Sequence, residues 1–125
     1  MANNGVDVAL KNSMNIDGAI AAALVDYNSG MALGATSASK ELDATVAAAG
    51  NTEVVKAKMR TMEMIGLKDR IEDILITLGR QYHLIRPLHS RDGAGLFLYL
   101  ALAKDRSNLA LARRQLQTIA DNLEL

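Results

Sequence analysis

The chain has 125 residues, half of them hydrophobic, and its 14 Lys and Arg balance 14 Asp and Glu. Disordered polypeptides combine low hydrophobicity with high net charge, so that class is excluded, and a net charge of zero argues against nucleic acid, whose phosphates need a basic surplus. No run approaches the ~18 apolar residues of a spanning helix, no basic-then-apolar leader opens the chain, and the lack of cysteine removes disulfides and thiolate chemistry together.

The expectation is therefore one soluble, cytoplasmic domain over residues 1–125, with residues 1–5 flexible. Only Tyr27, Tyr82, Phe97 and Tyr99 are aromatic. The core must be built from Ala, Leu, Ile, Val and Met, and alanine lets backbones approach closely. Cofactor pockets are usually lined with aromatic groups and a few convergent polar ones, so no cofactor is expected.

Val6, Leu10 and Met14 recur every four residues and predict a short helix over residues 6–14 with one buried stripe. Residues 19–27 are apolar on both parities and read as a strand covered on both faces. Asp26, Asn28, Ser29 and Gly30 make a turn, after which Met31, Leu33 and Ala35 return as the second strand of a hairpin. Ser39 suits the N-cap of a long helix from Lys40 to about Met64, with Glu41 and Asp43 in its first turn and Gly66 as its stop. Its apolar set, Leu42, Val46, Ala49, Val54, Val55, Met59 and Met62, is too wide for one stripe. Gly50 in mid-helix costs about 1 kcal/mol against alanine, which implies a kink or a close backbone approach.

Residues 71–78 predict a third strand and 82–88 a fourth, ended by Pro87. A polar loop with Asp92 and Gly93 at its tip precedes residues 96–103, where Leu96, Leu98, Leu100 and Leu102 share one face and Phe97, Tyr99, Ala101 and Ala103 the other. This is the expected central strand. Ser107 or Asn108 caps a last helix carrying Leu109, Ala112, Leu116, Ile119 and Leu123. The fold class is α+β, a five-stranded antiparallel sheet with three helices in the order α-β-β-α-β-β-β-α.

Little in this pattern carries chemistry. His83 and His89 lack the spacing of a zinc site and read as neutral structural histidines, so no metal is expected. Glu72 and Asp73, adjacent on a strand, point to opposite faces and read as solvated residues at a strand start. Gly93-Ala94-Gly95 lies between strands with no Lys-Ser or Lys-Thr after it, unlike a phosphate loop. No serine sits in a Gly-x-Ser-x-Gly elbow, and Arg113 and Arg114 read as a solvated helix face. An enzyme is disfavoured.

Apolar surface in excess is the informative feature. If one face of the long helix lies on the sheet, Val55, Met59 and Met62 either cover a partner or belong to the core; methionine is common at protein-binding surfaces. Residues 73–78 carry no Pro or Lys to blunt an edge, and such an edge invites pairing with another chain, which a symmetric dimer would satisfy.

These residues resemble the roadblock/dynein light chain family, whose members share a profilin-like sheet. The resemblance rests on the hairpin Ala22-Ala23-Leu24-Val25-Asp26-Tyr27-Asn28-Ser29-Gly30-Met31-Ala32-Leu33-Gly34, on the long helix, and on Gly95-Leu96-Phe97-Leu98-Tyr99-Leu100-Ala101-Leu102. The segment Gly79-Arg80-Gln81-Tyr82-His83-Leu84-Ile85-Arg86-Pro87-Leu88 is most similar to bacterial members.

The resemblance implies the strand order second, first, fifth, fourth, third. It also implies a homodimer closed by paired third strands and crossed long helices, with Ala47, Gly50, Val54, Asp73, Ile74, Leu75, Ile76 and Thr77 at the contact and a proline at Ile76 breaking it. It further implies a non-enzymatic regulator or scaffold for a small Ras-like GTPase, bound by the paired helices with Val55, Met59 and Met62 as partner residues. The competing expectation is a profilin-like sensory domain with a small ligand between helix and sheet.

Overall fold

The computed structural model describes residues 4–89 and 94–125. The tip of the predicted loop before the fifth strand, with Asp92 and Gly93, lies outside the described residues, as do positions 1–3. The elements run α1 (Asn4–Met14), β1 (Ala19–Asp26), β2 (Met31–Ser37), α2 (Ala44–Met64), β3 (Ile74–Thr77), β4 (Gln81–Pro87), β5 (Leu96–Ala103) and α3 (Leu109–Asp121), with a 3-10 turn at Lys104–Arg106. One antiparallel sheet holds the strands in the order β2-β1-β5-β4-β3, as expected.

Alternation divides the core into two layers. Even-numbered positions of β5 (Leu98, Leu100, Leu102) join Leu24, Leu84 and Leu116 beneath α1 and α3. Odd positions (Phe97, Tyr99, Ala101) join Ala21, Ala23, Val25, Ile85 and Val55 beneath α2. Every residue of β5 is buried, which is why this strand reads as continuously apolar. The alanines of β1 bring helices close on both faces. At Gly34 of β2 the approach is closest: a Cβ there would meet Leu10 Cδ1 and Val6 Cγ1 of α1, each at 2.8 Å.

Two boundaries differ from expectation. The long helix begins at Ala44 rather than Lys40, because Asp43, not Ser39, is the N-cap: its Oδ1 accepts the N–H groups of Thr45 at 2.9 Å and Val46 at 3.3 Å. A carboxylate there meets two free donors and the positive end of the helix, whereas the Ser39 hydroxyl accepts only from Glu41 N–H, in a local turn. The far end is as predicted, with Gly66 at φ +68° closing α2 in a conformation that only glycine adopts freely.

Second, β3 spans four residues rather than eight, and the reason lies on its neighbour. Leu88 N–H donates to Leu96 O, so even-numbered residues at this end of β4 face β5 and odd-numbered ones face β3. Opposite Glu72, the register from Ile74↔Ile85 brings Pro87, which has no N–H to donate. The ladder stops there. Pro87 itself stays paired, in register with Phe97; it is the last residue of β4, as expected, and it also limits β3. The caps of the last helix follow expectation, with Asn108 Oδ1 accepting from Leu111 N–H at 3.0 Å.

Candidate interaction surface

Helix α2 is amphipathic once its small residues are counted. Ala44, Ala48, Thr52, Val55 and Met62 are buried, at spacings of four, four and three residues and then two turns, a single stripe against β1 and β2. Thr52 belongs there because its hydroxyl donates to Ala48 O at 2.8 Å, leaving no unpaired polar atom. This corrects the expected partner residues. Val55 is 0% exposed and Met62 is buried, while Met59 is half-buried against the same layer. Val55 is closed to a partner, while Met59 and Met62 reach the surface only as the lining of a groove.

The outward face carries different apolar groups. Val46 is 67% exposed and Val54 37%, and Met64 and Ile65 are exposed at the helix end. Gly50, between the two valines at four-residue spacing, has no atom within 4 Å of a built Cβ. The expected interface position Ala47 is half-buried at the flank, packed on the α2-side core. The sequence held a signal for this face: Val46, Gly50 and Val54 recur every four residues, opposite Ala48, Thr52 and Val55.

Beside this face lies the β3 edge. Leu78 N–H donates to Gln81 O, so 74, 76 and 78 point their backbone groups at β4, while Leu75 and Thr77 point theirs to the open side. The side chains of Ile74 and Ile76 pack under α2, and those of Leu75 and Thr77 are exposed. A groove of about 440 Å³, lined by Val54, Lys58, Met62, Leu67, Ile71 and Ile74 among others, joins the two features. Val54 and Ile74 thus line the same groove.

Asp73 departs from expectation. It precedes the strand, and its side chain, 12% exposed, is clasped by Arg113 of α3 through Nε and Nη2, both at 2.8 Å. Arg86 Nη1 of β4 lies 3.9 Å from the same carboxylate. Asp73 is not the solvated residue anticipated from the sequence, whereas Arg113, 47% exposed, does lie on a solvated helix face. The fork holds the Arg113 guanidinium above its ordinary pKa, through the hydrogen bond first and charge second.

The histidines fill structural roles. His83 Nε2–H donates to Gln81 Oε1 at 2.7 Å, and Tyr99 Oη lies 3.4 Å from Nδ1, the two rings meeting edge-on. Burial pushes the His83 pKa down from 6.5 and that of Tyr99 up to about 12. A depressed histidine is protonated more readily in the unfolded chain, so stability is full above about pH 6.5 and falls as the pH drops toward the folded value. Acid titration of unfolding free energy should show this loss in the native protein and a flatter profile in His83→Gln. His89 Nε2 contacts Ile71 O at 2.8 Å. Among the described residues no group of three His, Asp or Glu could hold a metal, and no helix is long and apolar enough to cross a membrane.

Myxococcus xanthus MglB superposes with a TM-score of 0.73 at 19% identity, over 95% of this chain and 81% of that one. A roadblock/LC7 domain from Streptomyces avermitilis also gives 0.73, at 10% identity over 95% and 91%. The chain has the roadblock/LC7 fold. M. xanthus MglC superposes less closely, with a TM-score of 0.61 at 20% identity over 95% and 96%. No protein-family profile matches the sequence, and no curated protein matches it.

Within that fold, paired truncations separate the two faces of α2. Val55→Ala should cost about 1–3 kcal/mol, for apolar area lost from a closed layer. Val54→Ala should stay within about 0.5 kcal/mol; urea unfolding of dilute protein measures both.

Proposed function

We propose that this protein is a homodimeric, non-catalytic adaptor of the cytoplasm that binds a small Ras-like GTPase on the surface formed by two α2 helices. The observation that carries the reading is the continuity of the outward face of α2, through the groove at Val54 and Ile74, with the unpaired backbone of β3. A two-fold axis beside β3 would pair Leu75 and Thr77 with their symmetry copies and set Gly50 against a second helix, where the missing side chain permits close approach. Val46, Met64 and Ile65 replace Val55, Met59 and Met62 as the apolar groups offered to a partner. Similarity to a protein described as a gliding protein, MglB of Thermus thermophilus, and to an MglB with a tetrameric arrangement favours assembly over a solitary monomer.

The ligand-sensing alternative needs room between helix and sheet. There Val55, Ala21, Ala23, Val25, Phe97 and Tyr99 are all fully buried in one cluster, which favours the adaptor. Two measurements test the proposal. Sedimentation equilibrium should give a mass of two chains. Capture from host lysate, with GTP analogue or GDP added, should retain one Ras-like GTPase in a nucleotide-dependent manner. Monomers at micromolar concentration, or retention of no GTPase in either state, would reject it.

A further inference from the structure

A polar groove of about 460 Å³ opens between the start of β3, β4 and the outer side of α3, lined by Glu72, Asp73, Arg86, Arg113, Arg114 and Gln117. It borders α3, whereas the surface assigned to partners is built on α2, and the two grooves share only Asp73. We propose that this groove is an oxyanion site that takes a phosphate group, free or carried by a small molecule.

Three guanidinium groups face two carboxylates here, so the site holds one positive charge in excess. Asp73 has both oxygens committed to the Arg113 fork, which fixes that guanidinium and leaves its remaining N–H groups without a protein acceptor among the described residues. Arg86 is the decisive residue. Its side chain is only 14% exposed, and its ion-pair contact, 3.9 Å to Asp73 Oδ2, is too long for a hydrogen bond. Among the described residues its guanidinium makes no hydrogen bond at all. None of its nitrogens is both buried and unpartnered, so the five donors of the guanidinium stay open to an acceptor entering from the groove. Arg114, exposed at the adjacent position of α3, and the Gln117 amide one turn on complete a donor set that a tetrahedral oxyanion can bridge. Bidentate guanidinium contacts suit phosphate oxygens in geometry as well as charge. Glu72 is exposed and can swing toward solvent, whereas Asp73 stays as the brace.

The test uses the full chain and follows the arginine Nε–Hε signals by NMR while inorganic phosphate or phenyl phosphate is added, with chloride matched in ionic strength. Saturable shifts at Arg86 and Arg114 are expected with inorganic phosphate. Saturation with phenyl phosphate as well would identify a monoester-bearing ligand, and saturation with inorganic phosphate alone would identify the free ion. Arg114→Gln, at an exposed position that leaves the fold intact, should weaken binding about tenfold, the loss of one charge-assisted hydrogen bond. Arg86→Gln should abolish it. A response no different from chloride, or saturation unchanged in Arg114→Gln, would overturn the proposal. Because sedimentation of the phosphate-free protein measures the dimer separately, failure here leaves the adaptor reading standing, and failure there leaves this one.

Discussion

In the proposed β3-paired dimer, Leu75→Pro is expected to release folded monomers, while Ile76→Pro damages the protomer itself. The difference follows from the direction of two neighbouring N–H groups. Ile76 is paired with His83, and its backbone groups belong to the β3–β4 ladder. Proline there removes an internal donor and leaves the His83 carbonyl without its partner, at a cost of about 1–3 kcal/mol. Leu75 points its N–H to the open side, the one direction in which an edge strand tolerates proline. Its ring would occupy the space that a second β3 must enter. Two-fold symmetry repeats each loss, and with about 0.5–1.5 kcal/mol per ladder bond the dimer should weaken roughly a hundredfold. Sedimentation velocity across a concentration series, with circular dichroism as the control for folding, measures both effects. A dimer of unchanged affinity in Leu75→Pro would remove β3 from the interface.

Asp73→Ala should be the most damaging single change outside the hydrophobic layers, at about 3 kcal/mol. The carboxylate answers two arginines of different kinds. Arg113 is half exposed at 47%, so water would take over much of what Asp73 supplies, and Arg113→Ala should cost under about 1 kcal/mol. Arg86 is largely buried, and without Asp73 it becomes an uncompensated charge in a poorly solvated place. The double change Asp73→Ala with Arg86→Met should therefore recover part of the loss, because the orphaned charge is removed with its partner. Urea unfolding of the three variants checks the order: Asp73→Ala worst, the double variant intermediate, Arg113→Ala mildest. Equal losses in the single and double Asp73 variants would show that the carboxylate matters for something other than Arg86.

Legibility in the sequence followed the chemistry of each position. Strand β5 could be read directly, because an uninterrupted apolar run of eight residues has few other places to go than the middle of a sheet. The extent of β3 could not, since its limit is set by Pro87 on another strand, and no local pattern around residues 71–73 reports that. In α2 the buried face is hidden from a hydrophobic pattern by its composition. Ala44, Ala48 and Thr52 form much of the buried stripe, and small or hydroxylated residues carry a weak hydrophobic signal even where packing is tight. Val54 and Val55, adjacent and identical, lie on opposite sides of that division. At the start of α2, Asp43, read from the sequence as a first-turn acid, is the cap in place of Ser39, because its carboxylate is the stronger acceptor. The Asp73–Arg113 fork joins residues 40 positions apart, beyond the reach of any spacing argument.

The position of β5 between β1 and β4 governs how this protein is made. The β1–β2 hairpin leaves the ribosome early, but the neighbour that covers the other edge of β1 is synthesised after β4. At about 5–20 residues per second, an almost wholly apolar strand waits roughly 4–15 s with one backbone edge unpaired. Nascent chains stalled before Leu96 should thus bind trigger-factor-type holdases, and release should coincide with emergence of Ala103.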